Sequence, residues 1–172
     1  MEKQTTPVSD DPTQLRRALT GLVLEVFRLN GNLIAAGDAL VGDLGLTSAR
    51  WQVLGAIALS PVRLPVAHIA RNMGLTRQAV QRVTDDMRRD SLIRLEPNPH
   101  HRRAMLVTMT EQGEAAYTKA SARQERWADE LAAGLTPDTV EAAAAMLRTI
   151  QKRLNERSAP AALGVAPITQ DA

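Results

Sequence analysis

Apolar residues near both ends of the chain recur at the spacing of an α-helix. One stripe begins after Pro12 and repeats every three or four residues: Leu15, Leu19, Leu22, Val26, Leu29 and Leu33. A second stripe follows the same rule near the other end: Val140, Ala143, Leu147, Ile150 and Leu154. This period predicts helices over residues 12–40 and 111–157, each with one apolar face. We expect these faces to pack on each other and on a second copy of the chain, with a monomeric helical bundle as the alternative.

Between the terminal helices the elements shorten, and turn residues mark their ends. Capping residues and breaks predict three helices, over residues 47–59, 65–73 and 76–90. Two strand-like segments follow at residues 93–96 and 104–109, and the polar loop between them predicts a hairpin. The fold class predicted is therefore mainly α with a small β-wing, and its central domain spans residues 44–110.

The segment from Val66 to Val80 has the features of a helix-turn-helix. Ala70 permits close approach of two helices, Gly74 permits a tight turn, and Thr76 is placed to cap the second helix. Four apolar residues are expected to face inward from this second helix: Leu75, Ala79, Val83 and Met87. The polar residues on its other faces suit base edges, because Arg pairs with guanine and Gln with adenine.

Positive charge is concentrated in the same central part of the chain. Residues 61–110 hold nine arginines, no lysine and four acidic residues, a local net charge of +5, so the rest of the chain sums to −3. All three histidines also lie there. A guanidinium group matches phosphate and guanine edges better than an ammonium group does. The segment is therefore predicted to meet a polyanion.

Composition narrows the class of protein further. The absence of cysteine excludes disulfides, thiolate zinc sites and thiol redox chemistry. The sequence contains no phosphate loop, nucleophile elbow or metal-ligand run, so neither an enzyme nor a cofactor is expected. No uninterrupted apolar run reaches the roughly 18 residues of a membrane span and no signal peptide is visible, so cytoplasm is the expected compartment. Residues 1–11 and 158–172 lack periodicity and are predicted to be disordered tails.

Three stretches resemble the multiple-antibiotic-resistance regulator (MarR) family, over about residues 12–155. They are Leu46–Leu54, the helix-turn-helix, and the run from Asn98 to Gly113, which is the most specific. The resemblance implies a homodimeric winged helix-turn-helix regulator that binds double-stranded DNA, joined through its terminal helices. It also implies a recognition helix at 76–90 and a wing at 92–109. Such a dimer would most simply repress a promoter by occupying a pseudo-palindromic operator.

Chemistry and resemblance together select the candidate DNA-binding residues: Thr76, Arg77, Gln78, Gln81, Arg82, Arg88, His101, Arg102 and Arg103. In the family a wing-tip arginine enters the minor groove, which maps onto Arg103 with Arg102 beside it. The resemblance further implies an effector, a small aromatic or phenolic acid or its thioester, that relieves repression. Phe27, Arg50 and Trp51 are candidates to line its cleft, although Trp51 also fits a core position.

Two positions depart from the family pattern. His100 and His101 stand where the wing commonly carries acidic residues, which puts a carboxylate clamp on the wing arginines in doubt. Ser91 stands where the family commonly has Gly, so a left-handed backbone there would carry a cost. The histidines, with His68, leave a zinc site as an alternative. A winged helix that binds only proteins is the alternative function, and it would lack steep salt dependence.

Overall fold

A computed structural model describes residues 11–101 and 103–158. The predicted tails therefore lie outside the described residues, except for Asp11 and Ser158. Arg102 also lies outside them. Asp11 is the N-cap of the first helix, since its side chain accepts a hydrogen bond of 2.9 Å from the Thr13 amide.

The protein is mainly helical with one small antiparallel sheet, which confirms the predicted fold class. Within the described residues the helices are α1 (Pro12–Val41), α2 (Ser48–Ala58), α3 (Val66–Met73), α4 (Arg77–Arg89), α5 (Glu111–Ala132) and α6 (Pro137–Ser158). The strands are β1 (Leu64–Pro65), β2 (Ile93–Glu96) and β3 (Leu106–Met109), in the order β1-β3-β2. The chain divides into two compact units, one up to Arg126 and one from Trp127.

Local capping chemistry sets the helix ends as predicted. The Thr47 and Thr76 hydroxyls accept hydrogen bonds from the amides of Arg50 and Ala79, at 3.3 and 3.2 Å. Gly74 ends α3 in the left-handed conformation with φ 66°, where a side chain would be strained. The turn between α3 and α4 is therefore fixed by these few residues.

The sheet differs from the prediction at two points. β1 was not predicted, because a two-residue strand carries no alternating pattern; it pairs Leu64 with Val107 and Pro65 with Leu106. The second wing strand begins at Leu106 rather than at residue 104. β2 matches its predicted bounds and pairs with β3 from Ile93 opposite Met109 to Glu96 opposite Leu106.

An aliphatic core lies beneath the helix-turn-helix, with Leu54, Ile69 and Val107 among its fully buried members. The inward face of α4 is Val80, Thr84 and Met87, while Ala79 and Val83 are only partly buried. The prediction that Leu75 faces inward is wrong, since 47% of it is exposed. Leu75 lies before the Thr76 cap and outside the helix, so the helical phase does not extend to it.

The start of α5 is pressed against the residue that precedes β2. A Cβ atom added at Gly113 would stand 2.0 Å from the Leu92 carbonyl oxygen. The Thr110 amide donates to that same oxygen at 3.1 Å, and the Thr110 hydroxyl donates to the Ser91 carbonyl at 2.6 Å. Only glycine fits this contact, which holds the wing to the helix behind it.

The predicted apolar stripe of α1 exists and is mostly exposed. Leu15 and Leu29 are 72% and 54% exposed, and Phe27, beside the stripe, is 70% exposed. By length and composition the segment Pro12–Leu44 could cross a membrane, because an 18-residue window within it has a mean hydropathy of 1.2. This average is compatible with the absence of an uninterrupted apolar run of about 18 residues, because small and polar residues interrupt the apolar positions of the helix. An interface helix without its partner has the same properties.

Candidate DNA-binding surface

The side chains of α4 divide into three faces, because successive residues of a helix are about 100° apart. Opposite the buried Val80, Thr84 and Met87, the first two turns present Gln78 and Arg82 to solvent. Arg77 and Gln81 lie on the side of the helix towards the wing, where they line a groove. Thr76 and Arg88 are exposed at the two ends of the helix.

This groove runs between α3, α4 and the wing, and its volume is about 1060 Å³. Four of the predicted DNA-binding residues line it: Arg77, Gln81, His101 and Arg103. Gln78, Arg82 and Arg88 do not line it, and neither does Thr76, whose hydroxyl caps the helix. His68, His100 and Arg63 also line the groove. The structure thus gathers arginine and imidazole groups from three elements around one open channel.

The arginines of the basic segment differ in whether they have an acidic partner. Arg63 and Arg94 both contact Glu96, and Arg89 contacts Asp86. In the described part of the chain, no hydrogen bond or ion pair holds the side chains of the remaining members: Arg71, Arg77, Arg82, Arg88 and Arg103. All five are exposed. Free guanidinium groups on a protein surface suit phosphate oxygens.

Arg71 belongs to this unpaired set but was not among the predicted DNA-binding residues. It lies in the last turn of α3. Composition alone does not separate it from Arg63 or Arg89, because only the folded chain shows which guanidinium groups meet an acid. Its position in the basic segment was the one available signal.

Backbone and side-chain hydrogen bonds shape the tip and the base of the wing. At the tip, the Asn98 side chain accepts from the His100 amide at 3.0 Å, and the Asn98 carbonyl accepts from the His101 amide at 3.2 Å. At the base, Arg94 donates to the Met109 carbonyl at 2.9 Å. His100 and His101 stand where acidic residues are common in the family, and Arg103 has no carboxylate partner in the described chain.

The three candidate effector residues occupy different environments. Trp51 is partly buried against the core, and its ring lies 3.9 Å from a Cβ built at Gly37 of α1. Phe27 precedes Gly37 by ten residues, which is roughly 15 Å along the helix, and it is exposed. Arg50 donates to the Gly45 carbonyl at 3.1 Å and contacts Asp90 at 2.6 Å. Phe27 therefore stands apart from Trp51 along α1, and the cleft remains a prediction.

The histidines do not form a metal site with acidic neighbours in the described chain. Among residues 11–101 and 103–158, no group of three His, Cys, Asp or Glu side chains is placed to hold a metal ion. The imidazoles of His68, His100 and His101 are better described as part of the groove lining.

Comparison with known proteins identifies the family. The sequence model described as MarR family matches residues 44–104. An uncharacterised protein of Mycobacterium tuberculosis is 35% identical over 127 residues, which are 74% of this chain and 87% of that protein. The chain belongs to the MarR family. The transcriptional activatory protein BadR of Rhodopseudomonas palustris is 32% identical to this MarR-family protein over 94 residues, 54% of each chain.

Solved structures of other proteins share the fold. MosR of M. tuberculosis, in complex with DNA, superposes with a TM-score of 0.64 at 24% identity, covering 76% of this chain and 96% of that one. CouR of Rhodococcus jostii, bound to p-coumaroyl-CoA, gives 0.66 at 22% identity, covering 76% and 90%. The protein therefore has the winged-helix fold of these solved structures.

Proposed function

We propose that this protein is a homodimeric transcriptional regulator that binds a pseudo-palindromic operator, acting as a repressor that a small molecule relieves. The observation that carries the proposal is the groove between α4 and the wing, where the exposed Arg77 and Arg103 have no acidic partner in the described chain. Unpaired cations at a groove favour a polyanion, since the fold leaves their charge unbalanced. MosR, of the same fold, is solved in complex with DNA.

In the proposed complex the N-terminal turns of α4 enter the major groove. Gln78 and Arg82 point away from the core and are placed to meet base edges, while Arg77 lies towards the wing. Arg103 reaches the neighbouring minor groove or its phosphates. Thr76 retains its hydroxyl proton, since the oxygen accepts from Ala79, and can donate it to a phosphate.

A dimer is proposed because a single chain leaves too much apolar surface in water. Leu15, Leu24 and Phe27 of α1 are at least half exposed, and in α6 the same holds for Met146. Monomeric soluble proteins rarely expose continuous apolar faces of this length. In a twofold dimer the two copies of α4 would enter successive major grooves about 34 to 36 Å apart. The same pairing would cover α1, which agrees with a cytoplasmic protein.

The effector part of the proposal rests on the relatives. CouR is solved with p-coumaroyl-CoA, and PcaV of Streptomyces coelicolor, at 20% identity and a TM-score of 0.63, with its natural ligand. We propose an aromatic or phenolic acid, or its thioester, as the effector here. It would act by binding more tightly to a dimer whose spacing misfits the operator. Because BadR is named an activatory protein, a reporter assay must decide the sign of control.

The deciding experiment is the binding of the purified protein to genomic duplex fragments over a series of salt concentrations. Contact with several phosphates predicts affinity that falls steeply as salt increases, and a selected fragment with two related half-sites. Leu22→Asp or Leu147→Asp should yield monomers with much weaker binding, because a charge would enter the interface. Absence of duplex binding at low salt would contradict the proposal, and a salt-insensitive protein partner would favour the interaction module instead.

A further inference from the structure

Gln81 and Asp85 form a hydrogen-bonded pair one turn apart on α4, and Gln81 lies on the side of the helix towards the wing. The Gln81 amide nitrogen lies 3.0 Å from the Asp85 Oδ1. Both side chains are partly buried, and Gln81 also lines the groove. Gln81 is in the second turn of α4, within the part of a recognition helix that meets bases.

Chemistry fixes the direction of this contact. An ionised carboxylate accepts hydrogen bonds and donates none, so Gln81 must turn its NH₂ group towards Asp85. The reverse orientation would set the amide oxygen against the carboxylate. Hydrogen bonds to an ionised partner are also stronger than those between neutral groups. The amide is therefore held in one orientation, with its Oε1 directed away from Asp85.

The backbone of Gln81 is restrained as well. The hydroxyl of Thr84, a buried side chain, donates to the Gln81 carbonyl at 2.9 Å. Asp86, the neighbouring acid on the helix, contacts Arg89 instead and makes no contact with Gln81 among the described residues. Asp85 and Asp86 thus carry the same charge one residue apart, but only Asp85 orients a side chain of the groove.

We infer that Asp85 fixes the orientation of the Gln81 amide, so that Gln81 selects a base with an exocyclic amine in the major groove. This inference rests on the proposed function. Adenine and cytosine present an amine there that can donate to the Gln81 Oε1, whereas guanine and thymine present only acceptors, which can accept from the remaining amide hydrogen but leave Oε1 unpaired. Adenine also offers its N7 to the second amide hydrogen, so adenine is preferred and cytosine comes second. Asp85 acts as a positioning residue and need not touch the DNA.

The test measures base preference one position at a time. The operator is first selected with the parent protein, and each half-site position is then given all four bases against the parent, Gln81→Ala, Asp85→Ala and Asp86→Ala. At one position the parent should prefer adenine or cytosine over guanine or thymine by about fivefold or more. Both Gln81→Ala and Asp85→Ala should abolish that preference, and the double variant should add nothing. Asp86→Ala should leave it unchanged.

Further variants distinguish the role of Asp85 in orienting Gln81 from a role in helix stability and from the effect of its charge alone. Asp85→Glu, which keeps an acceptor-only group, should retain part of the preference. A merely structural Asp85 would instead lower affinity for all four bases alike and lower the melting temperature. That result, or an Asp85→Ala variant that keeps the preference lost in Gln81→Ala, would overturn the inference. A parent that binds no duplex would refute the proposed function itself, and that binding is measured before any variant.

Discussion

Arg50 and Arg103 belong to the same winged domain, and the fold uses them in different ways. Arg50 is largely covered, with 22% of its side chain exposed, and it joins the Gly45 carbonyl to Asp90 at the end of α4. Arg103 is exposed on the groove and has no partner in the described chain. Arginines that connect elements are matched with acids and carbonyls, whereas Arg77 and Arg103 on the groove have no such partner in the described chain. The unmatched group is where an external anion gains most.

The same contrast separates the groove from the contacts that Arg123 and Gly113 of α5 make with the rest of the domain, which together we call the frame. Arg123 of α5 donates to the Leu40 carbonyl at 2.8 Å and to both carboxylate oxygens of Asp43. Gly113 brings α5 against Leu92. Changes to this frame should alter folding stability, while changes to the groove should alter DNA binding and leave stability almost unchanged.

The largest effect is expected in the frame, from Gly113→Ala. The added Cβ would stand 2.0 Å from a backbone oxygen that cannot turn away, so the free energy of unfolding should fall by about 2 to 3 kcal/mol. Gly21→Ala is the matched control, since nothing lies within 4 Å of its Cβ, and it should stabilise α1 by up to about 1 kcal/mol. Urea unfolding measures both. Equal stability of the two variants would show that α5 does not press on Leu92.

The next effect concerns the groove, where Arg103→Ala is compared with Arg63→Ala. Both residues line it, but Arg63 contacts Glu96, which keeps Arg94 as a second partner when Arg63 is removed. Arg103→Ala should weaken duplex binding about tenfold and lower the salt slope by about one. Arg63→Ala should change affinity by about twofold or less, as for a surface ion pair. Equal losses in titrations at two salt concentrations would mean that pairing does not decide which arginines bind DNA.

Local rules account for what the sequence predicted well. The caps at Thr47 and Thr76 and the turn at Gly74 each depend on a few adjacent residues, and the helix bounds followed from them. The arginine pairs could not be predicted in this way, since Arg63 lies 33 residues from Glu96 and Arg123 lies 80 residues from Asp43. The candidate DNA-binding residues were selected by residue type, so Arg71 was missed. β1 depends on pairing with a distant strand and left no local pattern.

Ser91 lies where the recognition helix joins the wing, and Ser91→Gly should give a smaller effect of opposite sign. Its φ of 58° is left-handed, a conformation that costs an L-residue roughly 1 kcal/mol or more. Glycine should recover about 1 kcal/mol of stability without changing DNA affinity. Ser91→Ala keeps a Cβ and should recover nothing, so similar unfolding midpoints for the Gly and Ala variants would contradict the strain at this position.

The smallest effect is the pH dependence of the frame contact between Arg123 and Asp43. The hydrogen bond from Arg123 holds the pKa of the Asp43 carboxyl below its ordinary value of 3.8, and the positive charge of Arg123 adds to this. Because the pKa is lowered in the folded protein, the contact stabilises fully above about pH 3.8 and loses its contribution as pH falls through the lowered value. The parent should therefore exceed Asp43→Asn in stability at neutral pH, and the difference should narrow in acid. Unfolding in urea over the acid range in which the parent stays folded measures this difference.

Asp129→Asn, which removes an exposed carboxylate without a partner in the described chain, should show no such narrowing. If the stability difference between the parent and Asp43→Asn stays constant with pH, the charge of Asp43 does not hold α5 to the end of α1. Arg123 would then gain no more from its acidic neighbour than the unpaired arginines of the groove do.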